Sequence, residues 1–202
     1  MINIYEYLLS KKNPKTEAII EATDDNIRDI VDSEIKRLDF EASLNHIDVH
    51  KVTNMKAVFR LKHFNGDISE WDVSNVHTMD MMFQGCLDFN CDLGKWDVSN
   101  VTSMSKMFSA DTKFKGIGLE KWKLSPKIEH LDGMFIGCKI FNRDISSWKV
   151  TPGVRHIAEM FKNCEAFEQD LSSWEISQYT LHTEMFKNCP MARKKKLQPK
   201  IV

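Results

Sequence analysis

Three side-chain types recur at spacings that invite a chemical reading. Cys86, Cys138, Cys164 and Cys189 each stand three residues after a phenylalanine, and four cysteines could hold a metal ion or form disulfides. They contain no Cys-x-x-Cys pair and fall one per repeat unit in a shared position, so a column of small buried thiols is the plainer reading. Cys91 lies off the column, and an odd cysteine count without a secretory leader fits reduced thiols. His130, His156 and His182 recur at 26-residue steps, as a row of metal ligands would. Counted back from Phe135, Phe161 and Phe186, however, the first two share one position while His182 falls one place later, and no carboxylate keeps step with them. Structural or surface histidines are the default. Asp67, Asp92, Asp144 and Asp170 lie four residues before a tryptophan, with Asn65, Asn90 and Asn142 close by. These could form a calcium row, or bond backbone N–H groups where the chain turns, which short polar side chains do readily.

Neither a nucleotide-binding loop, an HExxH helix, a serine elbow nor a Cys/His pair at catalytic spacing occurs. No enzyme, metal or cofactor is therefore expected. The elements that position the recurring residues come from an internal repeat. Trp71, Trp96, Trp122, Trp148 and Trp174 are separated by 25, 26, 26 and 26 residues. Phe59, Phe83, Phe108, Phe135, Phe161 and Phe186 form one column, and Phe64, Phe89, Phe114, Phe141 and Phe167 a second. Five full units begin at Asp48, Asp72, Asp97, Lys123 and Lys149, and a truncated sixth runs from Glu175 to Cys189. A unit this short cannot bury so many large side chains alone, whereas stacked on similar neighbours it can.

The expected fold is a repeat solenoid, leucine-rich-repeat-like, with one short parallel β-strand and one helical or 3₁₀ turn per coil of 25–26 residues. Alternation around Trp96-Asp97-Val98 predicts the strand there, and the spacing of Val101, Met104, Met107 and Phe108 predicts the helical or 3₁₀ turn. One extra residue separates Phe114 from Trp122, and Gly116-Ile117-Gly118 is the expected site of a bulge that absorbs it.

Residues 1–47 carry no repeat and are expected to form an N-terminal cap, α-helical or α/β. Ile27, Ile30, Val31, Ile35 and Leu38 predict an amphipathic helix with Asp24 and Asp25 at its start and Lys36 and Arg37 at its end. Ala18-Ile19-Ile20 fits either a short strand or more helix. The solenoid is expected over 48–189, followed over 190–202 by a solvated basic tail containing Arg193, Lys194, Lys195, Lys196 and Lys200.

The 202 residues have a formal charge of −1, which argues against a nucleic-acid binder that relies on whole-molecule attraction. That balance divides into 6 basic against 10 acidic residues in the cap and five basic residues in the tail. Nucleic acid is an expected partner only through the tail. No stretch reaches the roughly 18 to 20 apolar residues of a membrane helix, and oligomers are compatible with the sequence.

The line Trp96-Asp97-Val98-Ser99-Asn100-Val101-Thr102-Ser103-Met104, followed by Met107-Phe108, resembles the bacterial surface protein 26-residue repeat, a relative of the BspA-like leucine-rich repeats. The signature recurs from Phe64 to Val76 and in Met134-Phe135-Ile136-Gly137-Cys138 with Phe141 to Trp148. The resemblance implies a curved solenoid used for protein binding, without catalytic residues. Members are often secreted or surface-anchored, whereas Met1-Ile2-Asn3-Ile4-Tyr5-Glu6-Tyr7 is not a signal peptide, so a cytoplasmic or intracellular protein is expected.

Polar residues between the apolar positions of the expected strands change chemistry from coil to coil. Lys95, Asp97, Lys121, Lys123, Lys149, Thr151 and Glu175 are the candidate partner-binding residues. They point to a protein-binding scaffold, the alternative being a structural or assembly component, phage- or surface-associated, whose ends make the contacts.

Overall fold

In the computed structural model, residues 18–202 are described, so the Met1–Tyr7 start and the earliest part of the cap lie outside the described residues. The chain winds through six stacked coils. A file of single-residue parallel bridges runs through Asn54, Thr78, Ser103, His130, His156 and Leu181, one residue in each of coils 1 to 6. After each bridge, four alternate N–H groups of one coil donate to four carbonyls of the next. From coil 3 to coil 4 these are Met104 to His130, Lys106 to Asp132, Phe108 to Met134 and Ala110 to Ile136, at 2.9, 2.9, 3.0 and 2.6 Å.

The pairing thus lies at Ser103, and Trp96-Asp97-Val98 is not a strand. Its physical cause is local. Asp97 Oδ1 accepts the Ser99 N–H at 3.0 Å, and Asp72 does the same for Ser74 at 3.1 Å, so the aspartate that supplies the strand-like alternation instead bends the backbone. Among the described residues, strand pairing at this level of the repeat occurs only at the two ends. There β1 (Ile20–Glu21) pairs in parallel with β2 (Ile47–Asp48), and β3 (Glu175–Ile176) with β4 (Lys200–Ile201).

The Met104–Phe108 segment is likewise not helical. Met107 N–H bonds the Met104 carbonyl at 3.2 Å, Ser109 that of Lys106 at 3.2 Å and Asp111 that of Phe108 at 3.2 Å, a chain of overlapping β-turns. Two residues per coil take positive φ to close them, Lys106 (57°) and Ala110 (65°) in coil 3 and Gly133 (61°) and Gly137 (73°) in coil 4. The extra residue before Trp122 is taken up by a 3₁₀ turn, Leu119–Lys121, entered through Gly116 and Gly118 at φ 68° and 88°. A side chain cannot replace Gly118, because its Cβ would lie 2.2 Å from the Gly94 nitrogen.

Side-chain columns fill the inside of the stack. Phe83, Phe108, Phe135 and Phe161 follow one another at 5.6, 5.8 and 5.7 Å between ring centroids, and within a coil Phe108 stacks on Phe114 at 4.1 Å. Each of Trp71, Trp96, Trp122 and Trp148 donates its indole N–H to a backbone carbonyl one coil back, those of Leu44, Ile68, Leu93 and Leu119. These indoles are buried, so the bond satisfies the one polar atom they carry into the core.

α1 (Ile27–Leu38) covers the first coil with Ile27, Val31 and Leu38 buried. Arg28 Nε donates to the Lys56 carbonyl at 3.1 Å and Asp24 accepts the N–H groups of Thr53 and Asn54 at 2.7 and 2.9 Å. Glu34 on its inner side is also buried, bonded to Arg37 Nε at 3.0 Å and to His46 Nε2 at 2.8 Å. Residues 190–202, expected as a solvated tail, are folded. They form 3₁₀ turns at Pro190–Arg193 and Lys195–Leu197 before β4. Leu197 lies 26 residues after Leu171 and accepts its N–H at 2.8 Å, while Met191 is fully buried. The tail is therefore a degenerate half-coil in which Lys200 takes the tryptophan position, bonding the Trp174 carbonyl at 2.9 Å.

Candidate functional site

The recurring polar residues divide into those used up inside the stack and those left on its surface. Among the first are the thiols. Cys86, Cys138, Cys164 and Cys189 are buried and donate to the carbonyls of Phe64, Phe108, Phe135 and Phe167 at 3.4, 3.1, 3.0 and 3.5 Å. Burial pushes the Cys86 thiol up to about 12 and also raises those of Cys138 and Cys164 well above the ordinary value, the reverse of what a nucleophile or metal ligand needs.

Asp111 occupies the corresponding position of coil 3, between Cys86 and Cys138 in the column, and is fully buried. Neither carboxyl oxygen has a hydrogen-bond partner. Burial raises its pKa from 3.8 to about 8. The sequence carried the signal for this residue, an acid three places after Phe108 where other coils place cysteine.

The aspartate row is also structural. Asp92, Asp144 and Asp170 accept the N–H groups of Gly94, Ser146 and Ser172 two residues on, at 2.8, 2.9 and 2.8 Å. These backbone bonds hold Asp144 and Asp170 below the usual carboxylate range. The asparagines link coils, Asn65 Oδ1 accepting Asn90 N–H at 2.9 Å and Asn90 Oδ1 accepting Lys115 N–H at 2.8 Å. Both rows thus serve to hold turns and to link coils. No group of three His, Cys, Asp or Glu among the described residues could hold a metal ion.

His130 and His156 do face the same way. As bridge residues of consecutive coils, they stack with centroids 4.8 Å apart and planes at 17°. His182, one place later, bonds the Thr180 carbonyl through Nδ1 at 2.8 Å. The stacked pair borders an open groove of about 450 Å³ with Lys106, Asp132, Glu159 and Glu184.

All seven candidate partner-binding residues are exposed, and they lie on a row of stacked turns. The ends of the row are internally engaged. Lys95 pairs with Glu70, Asp97 holds Ser99, Thr151 Oγ1 accepts the Gly153 N–H at 3.4 Å, and Glu175 sits in β3 beside Lys200. Its centre is not, because Lys121, Lys123 and Lys149 form no ion pair among the described residues. Gly94 makes room for one of them, since a Cβ there would lie 2.8 Å from Lys121 Cδ. No helix among the described residues is long and apolar enough to cross a membrane.

Residues 28–128 and 110–198 match the family described as Mycoplasma protein of unknown function, DUF285, and the chain belongs to that family. No curated protein and no solved structure matches the chain.

Proposed function

We propose that this DUF285 chain is a non-enzymatic protein-binding scaffold, a leucine-rich-repeat-like solenoid that recognises a macromolecular partner through the turn row bearing Lys95, Asp97, Lys121, Lys123, Lys149, Thr151 and Glu175. The observation that supports it is the centre of that row. Lys121, Lys123 and Lys149 are exposed and without ion-pair partners, and they flank the buried Trp122 and Trp148, whose indoles bond carbonyls one coil back. Unpaired cations on a rigid support meet an acidic surface without the ordering cost a flexible loop incurs. The consumption of the cysteine, aspartate and asparagine columns by internal bonding leaves little for catalysis. The resemblance of residues 96–108 to BspA-like repeats agrees with this role, and an intracellular location goes with reduced thiols.

Replacing Lys121, Lys123 and Lys149 by Glu tests the proposal. The triple variant should keep the circular dichroism and melting temperature of the parent and lose most of its partner in pull-downs from the native cell. Equal capture by both proteins would reject the turn row as the binding surface.

A further inference from the structure

The hydrogen bonds between coils leave a remainder at the sixth. From coil 5 to coil 6, Ile157, Glu159, Phe161 and Asn163 donate to the carbonyls of Leu181, Thr183, Met185 and Lys187 at 2.8, 3.0, 2.9 and 2.8 Å. The equivalent donors of coil 6 are the N–H groups of His182, Glu184, Phe186 and Asn188, and none of them has an acceptor among the described residues. The core ends there in the same unfinished way. Phe186 stacks on Phe161 at 5.6 Å and 2° but, unlike Phe161, is only partly buried. Beside it opens a cleft of about 410 Å³ lined by Ile176, Met185, Phe186, Ala192, Pro199 and Ile201. The half-coil of residues 190–202 covers the region of Leu171 to Gln178 and leaves this edge bare.

The opposite end is closed. The matching carbonyl edge of coil 1 lies under α1, with Arg28 bonded to the Lys56 carbonyl and Lys62 paired to Asp32, so a second copy cannot extend the stack while its helix is in place. Charge narrows the occupant further. Lys187 and Lys195 line this cleft and are exposed, Arg193 and Lys196 are exposed on the adjoining half-coil, and Glu184 on the edge is already held between Lys162 and Lys187.

We propose that the open edge of coil 6 binds an extended, acidic segment of a partner protein that carries an aromatic side chain. Alternate carbonyls of the segment accept the N–H groups of His182, Glu184, Phe186 and Asn188, as each coil does for the one before it. Its aromatic ring stacks on Phe186 over the cleft, and its acids meet Lys195 and Lys196. Strand addition of this kind gives affinity through the main chain and specificity through the pocket. The surface is separate from the lysine-centred turn row.

The probe is a fluorescein-labelled peptide that copies residues 76–86, the ladder segment of coil 2, preceded by four aspartates, with the Phe83→Ala peptide as control. Fluorescence anisotropy should show saturable binding to the full chain that weakens with salt, and about tenfold weaker binding of the control. His182→Pro removes the first free N–H where the preceding residue is already extended, so the fold should survive with an unchanged melting temperature while affinity falls by about tenfold or more. Lys195→Glu with Lys196→Glu, which touches no ladder bond, should also weaken binding and flatten its salt dependence. Absence of saturable binding, or equal affinity in both variants and with the control, would overturn the proposal. So would a concentration-dependent dimer, seen by sedimentation and abolished by His182→Pro, since a second copy would then be the occupant.

Discussion

Trp174 lies parallel to Trp148, their planes 3° apart and centroids separated by 6.3 Å, yet only the Trp148 indole has an acceptor. Trp148 bonds the Leu119 carbonyl at 2.8 Å, whereas Trp174 Nε1 is buried without a partner. Replacement by Phe removes similar area at both sites, but it breaks a hydrogen bond only at Trp148, while at Trp174 it removes a buried indole N–H that has no acceptor. Trp148→Phe should therefore cost about 1 kcal/mol more than Trp174→Phe in denaturant unfolding. Equal costs would mean that the indole bonds add nothing net to the stack.

Asp111 makes stability depend on pH in an unusual direction. Its pKa in the fold, raised from 3.8 to about 8 by burial, lies above that of the unfolded chain. The protonated acid is tolerated below about pH 4, and the contribution is lost progressively as pH rises to about 8, where it reaches the order of 5 kcal/mol. Asp88 and Lys113 are the charges that also act on this carboxyl. Asp111→Asn should leave the melting temperature almost unchanged at pH 4 and raise it by several degrees at pH 8. A gap between the two proteins that is constant across this range would refute the assignment.

Ala110 and Gly137 occupy the same left-handed turn position in consecutive coils, with φ 65° and 73°. Ala110→Gly should stabilise, because an L-residue pays to hold this conformation, and Gly137→Ala should destabilise, each by about 1 kcal/mol. A Cβ on Gly137 meets nothing closer than 3.8 Å, so the second effect is conformational rather than steric. Thermal melts of the two variants should move in opposite directions.

The buried thiols should be inert. With Cys86 raised from 9.0 to about 12, its thiolate fraction near pH 8 is about a thousandfold below that of a free cysteine. Titration with a disulfide reagent should find the four column cysteines unreactive in the native protein and all five free thiols in guanidinium. Rapid native modification of Cys138 or Cys164 would show that the column opens.

Much of this structure can be read from spacing. The phenylalanine, tryptophan and cysteine columns follow from the repeat, and Asp111 stands out once the cysteine position is known. The helix from Ile27 is legible in its apolar period and terminal charges. Other parts are hidden for physical reasons. At Trp96-Asp97-Val98, alternation mimics a strand, but the bond from Ser99 N–H to Asp97 bends the chain, and no pattern of apolar residues reports that competition. The turn run after Ser103 places Lys106 and Ala110 at positive φ, where glycine would have announced it. The final half-coil keeps Leu197 and Val202 in register and replaces tryptophan by Lys200. At the candidate surface, the seven exposed positions follow from alternation, whereas which lysines lack a partner depends on neighbours one coil away.

Against backward bonds such as that from Thr102 N–H to the His77 carbonyl, the four ladder hydrogen bonds in each of the five steps between coils all point their N–H groups the same way along the stack. Their peptide dipoles add as those of an α-helix do, but along an axis perpendicular to the chain direction. The sixth coil is the positive pole and the first the negative, where the Arg28 guanidinium rests on the Lys56 carbonyl. The molecule is thus electrically directional through its main chain as well as through its side-chain charges.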